Sequence, residues 1–166
     1  MKTKNITYIA LLLALAVVFS YVEILIPIPV PIPGIKLGLA NGVILYCLYK
    51  FSPGVGFLVG LSKVIIIFAL FGNVYSFLFS LFGFILSYLV MLICIRSGLF
   101  SVYGVSICGA VFHNIGQILV AIYVANVKGI VIYLPVLTIV AIFTGSLNAF
   151  LVNTIIKRIS KDDCLY

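Results

Sequence analysis

Acidic side chains are almost missing from this sequence. Three occur in 166 residues, Glu23, Asp162 and Asp163, and two of them are adjacent in the C-terminal tail. Sites that hold Mg2+ and diphosphate draw on carboxylates, and no pair of aspartate-rich motifs is present. A Ser–His–Asp arrangement has no aspartate to orient a histidine within the apolar runs, since both aspartates lie in the tail. No GxxxxGKS or GxxxxGKT loop occurs, so the chain does not hydrolyse ATP by itself. The four cysteines, Cys47, Cys94, Cys108 and Cys164, form neither a CxxC pair nor a Cys/His ligand set. Three of them lie in apolar runs, where a free thiol acts as a small hydrophobe. Catalytic residues, a metal and a cofactor are therefore not expected.

Polar surface of any kind is also scarce. The chain is 65% hydrophobic and 8% charged, whereas a soluble domain is about 45–50% apolar and about 25% charged. Too little polar surface exists to face water, so lipid is the solvent for most of the exterior. A span takes roughly 20 residues, which leaves room for six spans and no soluble domain. The net charge of +7 would suggest nucleic acid in a soluble protein. Here the basic residues follow the loops instead, and no nucleic-acid partner is expected. Met1-Lys2-Thr3-Lys4 before an apolar run imitates a signal peptide, but the run continues to Ile26. That is too long for a signal h-region, and it reads as a retained first helix.

The expected fold is all-α: a polytopic six-helix transmembrane bundle forming one domain over residues 1–166. The helices are expected at 5–26, 37–49, 55–71, 75–95, 102–125 and 130–156. Between the first two lies Pro27-Ile28-Pro29-Val30-Pro31-Ile32-Pro33-Gly34. Proline removes a backbone donor and fixes φ, so this segment is extended and stiff. Extended backbone cannot lie bare in lipid, so it belongs at the surface or along a cavity. With the N-terminus in the cytoplasm, Lys2, Lys4, Lys50, Arg96, Lys157, Arg158 and Lys161 are inside, and only Lys36 and Lys128 are outside. Basic residues favour the cytoplasmic side, so both termini are placed there, in a multi-pass cell-membrane protein.

Small residues four apart allow helices to approach closely. Ala10 and Ala14 have this spacing on the first helix, Gly56 and Gly60 on the third, and Ser76, Ser80, Gly83 and Ser87 form a ridge on the fourth. Polar residues within spans are costly and therefore informative. His113 and Gln117 share one face of the fifth helix, with Asn114 within about 100° of both. Interhelical hydrogen bonding is the plain explanation, but three such residues together suggest a site. Lys63 lies at similar depth, too far from the helix end to snorkel well. Lys36 and Asn41 follow the proline run. Lys36 reads either as a solvated loop lysine or as part of an outward-facing site. Together Lys36, Asn41, Lys63, His113, Asn114 and Gln117 would line a cationic pocket suited to an anionic small molecule with an apolar body. Glu23 is the one acid near enough to offset that charge.

Pro31-Ile32-Pro33-Gly34-Ile35-Lys36-Leu37-Gly38-Leu39-Ala40-Asn41, followed by the stretch from Gly104 to Gln117 that ends in Phe112-His113-Asn114-Ile115-Gly116-Gln117, resembles the Gx transporter family. That family is also labelled heptaprenyl diphosphate synthase component I. The resemblance covers nearly the whole chain. Lys63 stands where the family's pattern leads us to expect arginine, and lysine cannot form a bidentate fork on an anion. The family is in turn similar to the S components of energy-coupling factor (ECF) importers. That resemblance implies six helices with both ends cytoplasmic and a first loop that caps an outward-facing site. It also implies an AxxxA patch, here Ala10 and Ala14, that docks a membrane T component served by two ATPase subunits. The substrate implied is a vitamin or quinone precursor, captured without catalysis. Two other functions fit the same helices. One is an accessory membrane subunit of polyprenyl diphosphate synthesis. The other is a free-standing secondary carrier in which His113 and Glu23 handle protons.

Overall fold

The computed structural model describes residues 3–25, 36 and 38–159, and all regular structure among them is helical. Six α-helices occur: α1 (Thr3–Leu25), α2 (Asn41–Lys50), α3 (Pro53–Phe71), α4 (Val74–Ser97), α5 (Val102–Tyr123) and α6 (Leu134–Ile159). A 3-10 segment, Lys128–Tyr133, runs directly into α6. Five helical stretches are long and apolar enough to cross a bilayer: α1, α3, α4, α5, and the 3-10 segment joined to α6. Of the expected proline-rich cap at residues 27–36 only Lys36 is described, and the acidic tail lies outside the described residues.

Local chemistry sets the helix ends. Ser52 Oγ accepts from Val55 N at 3.3 Å, Asn73 Oδ1 from Ser76 N at 3.1 Å, and Ser101 Oγ from Gly104 N at 3.3 Å. Each satisfies a first-turn N–H that the helix cannot. Pro53 sits in the first turn of α3, where its missing N–H costs nothing. Gly72 and Gly98 close α3 and α4 with φ of 61° and 67°, a left-handed cap that glycine adopts without strain.

Helix α2 departs from the expected pattern. It begins at Asn41 rather than Leu37, and its ten residues rise about 15 Å, half the roughly 30 Å hydrocarbon core. The cause is Gly38, whose φ of +85° breaks any helix. A tight turn follows, with Asn41 N donating to Gly38 O at 3.0 Å. This turn is not on the surface. Lys36 and Ala40 are buried, as are seven residues of α2. Lys36 and residues 38–40 are therefore non-helical inside the bundle, and the chain continues from them as a half-length helix. Such backbone is tolerated at membrane depth only where protein satisfies it. Lys36 N donates to Gln117 Oε1 at 3.2 Å, Leu39 N donates to Glu23 Oε1, and Gly38 O accepts from Asn148 Nδ2 at 3.1 Å. Three helices thus supply the missing partners.

Around α2 the helices pack unequally. At α4 and α5 the backbones are in contact: a Cβ on Gly116 would lie 2.8 Å from Phe82 O and 2.9 Å from Gly83 Cα. At α5 and α6, a Cβ on Gly145 would lie 2.8 Å from Ile107 Cα, and Ser106 Oγ donates to Gly145 O at 2.6 Å. The main apolar core joins Ile44, Leu45, Val64, Phe84, Met91 and Val105. Helix α1 packs on α3 and α2 and does not reach α6.

Candidate functional site

The polar residues of the membrane interior converge on the re-entrant turn. Glu23, Lys36, Asn41, Lys63, Ser80, His113, Gln117 and Asn148 are each 6% exposed or less. They come from all six helices and from the turn itself. Gly38 is the pivot: a Cβ there would meet Asn41 Nδ2 at 3.0 Å and His113 Cδ2 at 3.5 Å. A bare backbone lets α2 and α5 place an amide and an imidazole on either side of it.

Lys36 is held at both ends. Its backbone N–H donates to Gln117, and its Nζ donates to Ser80 Oγ at 2.9 Å. The solvated-loop alternative is excluded: this lysine is an interior residue. Burial pushes its ammonium below the usual lysine value of 10.5, while the Glu23 carboxylate opposes the shift. Lys63 is also buried, and Glu23 faces both lysines electrostatically.

The hydrogen bonds fix the state of His113. Gln117 Oε1 is occupied by Lys36 N, so its amide nitrogen donates to His113 Nε2 at 2.9 Å. Nε2 must then be the unprotonated nitrogen, and the ring proton lies on Nδ1. Nδ1 faces the backbone of Gly83 on α4. The imidazole is therefore neutral in this arrangement. Two ammonium groups face one carboxylate, which leaves a single formal positive charge.

Five of the six candidate residues are brought together by the structure: Lys36, Asn41, Lys63, His113 and Gln117. Asn114 points elsewhere, its Nδ2 donating to Leu137 O at 2.9 Å, and so ties α5 to α6. Asn41 Nδ2 and Oδ1 have no hydrogen-bond partner among the described residues. A buried amide without partners is rare in a folded protein. Sequence reasoning missed Asn148 and assigned Ser80 to packing alone. Asn148 was detectable as a polar break in the apolar run of α6, the kind of residue that membranes rarely tolerate without a role. Ser80 gave no such signal.

A cavity of about 350 Å³ adjoins the cluster without containing it. It lies between α1 and α6 over α2, where those two outer helices fail to meet. Its lining is apolar apart from two tyrosines and Asn148. Elsewhere on α1, Ala10 and Ala14 are exposed, while Ala16 is buried against Val43, Cys47 and Val59. Among the described residues no three His, Cys, Asp or Glu side chains gather as metal ligands would.

The family model for heptaprenyl diphosphate synthase component I matches residues 12–155. The chain belongs to that family. The matched segment runs from α1 almost to the end of α6, so the whole re-entrant cluster falls inside it. No curated protein and no solved structure matches the chain. Membership supplies a family description, and the long apolar helices supply the membrane-embedded fold. The description speaks of one component of a synthase, and so of a partner component.

Proposed function

We propose that this protein is a non-catalytic binding subunit of a bacterial plasma membrane, and that the re-entrant cluster captures a small amphipathic anion. The observation that carries this reading is the burial of Lys36. A lysine held inside the bundle on a non-helical turn is expensive, and membrane proteins keep such charges where they act on a ligand or ion. Beside it, Asn41 offers an unpartnered donor and acceptor, and Lys63 a second cation.

In the finer form of the proposal, the protein is the S component of an ECF importer. Both termini are cytoplasmic, and the turn at 36–40 is the inner edge of an outward-facing cap. Ala10 and Ala14 dock the T component, and two ATPase subunits supply the energy. The exposure of both alanines supports this reading, because a docking patch must be open in the isolated chain. The second reading is an accessory membrane subunit of polyprenyl diphosphate synthesis, which the family description favours.

Co-purification separates the two. The importer reading expects the tagged protein to bring down a membrane T component and two ATPases, and expects Ala10→Leu or Ala14→Leu to abolish this while ligand binding persists. Normal assembly of those variants would refute the docking role. Recovery of a soluble prenyl synthase in place of the ATPases would favour the second reading.

A further inference from the structure

The apolar groove and the polar cluster touch at one place. Leu39 lines the groove, and its backbone N–H donates to Glu23 in the cluster. Asn148 lines the groove and donates to Gly38 O. Gly42 completes the junction, since a Cβ there would lie 2.9 Å from Asn148 Oδ1. From this junction the groove follows α1 back from Phe19 to Tyr8. Eleven residues of helix rise about 16 Å, the depth of one bilayer leaflet's hydrocarbon. Its volume of about 350 Å³ falls in the usual range for small-ligand sites, about 300–1,000 Å³.

The head group is constrained by charge. Among the described residues Lys36 and Lys63 are offset by Glu23 alone, and the hydrogen bond that His113 accepts from Gln117 leaves its ring neutral. One unbalanced positive charge in a low-dielectric interior suits one negative charge. A diphosphate would bring more, and the cluster offers neither arginine nor a carboxylate set for Mg2+.

We propose that cluster and groove form one site for a single-chain amphipath, with a monoanionic head at Lys36 and Lys63 and a hydrocarbon tail lying between α1 and α6. This rests on the binding function proposed above, and adds to it the head-group charge, the tail and the tail's path. The tail lies in the groove, and Leu39 and Asn148, which separate the groove from the two lysines, part to admit the head. The groove is also distinct from the alanine patch. At about 100° per residue, Tyr8, Leu15 and Phe19 face roughly 140° away from Ala10 and Ala14.

The test uses the full-length protein in phosphatidylcholine vesicles. One probe is a long-chain fatty acid with a diazirine at its tail end, and the other is phosphatidylcholine with the same diazirine. The fatty acid should crosslink to groove residues of α1 and α6. Lys36→Gln or Lys63→Gln should cut that labelling about tenfold, as loss of a charged hydrogen bond does. Leu151→Trp, which fills the groove from a half-exposed position, should cut it similarly. Ile139→Trp, on the lipid-facing side of α6 away from the groove, should not. Unlabelled fatty acid should compete better than a polyprenyl diphosphate. Phosphatidylcholine labelling should ignore both lysines. Fatty-acid labelling that also ignores the lysines would show a groove filled by bulk lipid, and would overturn the proposal. Stronger competition by the diphosphate would overturn its head-group assignment. If the purified protein instead retains a ligand without a tail, lost in the lysine variants, the groove proposal falls and the binding function stands. If the lysine variants change neither labelling nor retained ligand, both fall.

Discussion

Helices α5 and α1 are both apolar and both long enough to span, yet the protein uses them in opposite ways. In the most apolar stretch of α5, 61% of residues are buried inside the protein, against 17% for α1. Helix α5 has glycines where neighbours press: Gly109 against Met91, Gly116 against the backbone of α4. It carries His113, Asn114 and Gln117, each with a hydrogen-bond partner. Helix α1 has one tight face, through Ala16 and Ser20, and exposes most of the rest. The contrast separates a rigid wall, which fixes the polar groups, from a loosely attached one, which is open to lipid or to a partner. Hydropathy cannot make that distinction, because lipid and protein interiors are equally apolar.

Substitutions should reveal the contrast. Gly116→Leu forces α4 and α5 apart at backbone contact and should cost about 3 kcal/mol, the upper range for overpacking. Thermal unfolding of the detergent-solubilised protein would measure it. Lys63→Met leaves Glu23 facing Lys36 alone. It should cost about 2 kcal/mol, below the usual penalty for breaking a buried pair because one cation remains. Adding Glu23→Gln should deepen this loss, because it leaves Lys36 buried without a counter-ion. Asn148→Ala frees the carbonyl of Gly38 and should cost about 1 kcal/mol, the net worth of one hydrogen bond. Ala14→Leu on the open face of α1 should change stability by less than about 0.5 kcal/mol. A loss there equal to that of Gly116→Leu would remove the distinction between the two walls.

Lys36 adds a pH signature. Its folded pKa is lowered by burial from 10.5, so in the window between the folded and unfolded values the unfolded chain holds more protons. Stability contributed by Lys36 therefore rises with pH across that window. Anion binding runs the other way. It should weaken as pH rises through the lowered pKa, before 10.5 is reached, and Lys36→Arg should abolish that decline.

Much of this was legible in the residues. Apolar runs bounded by Ser52-Pro53, Asn73, Ser101 and Gly98 mark helices because their caps are local chemistry. The shared face of His113 and Gln117 follows from helical periodicity alone. The re-entrant turn was not legible. Lys36 beside a proline run reads equally as a solvated loop residue or as a site residue, and nothing local indicates that Gln117 and Ser80, 81 and 44 positions away, will hold it inside. Asn114 shows the converse: sharing nearly one face with His113, it serves α6 instead. Which side of a polar stripe meets a ligand is decided by neighbouring helices, and that is long-range information.

The central claim is that the buried cluster at Lys36, Lys63 and Asn41 binds an anion inside the membrane. Native mass spectrometry of the protein released gently from its own membranes tests this most directly. The wild type should retain an amphipathic acid carrying one negative charge, and Lys36→Gln and Lys63→Gln, while still folded, should lose it. Retention of a cationic compound, or equal retention by wild type and both variants, would contradict the account.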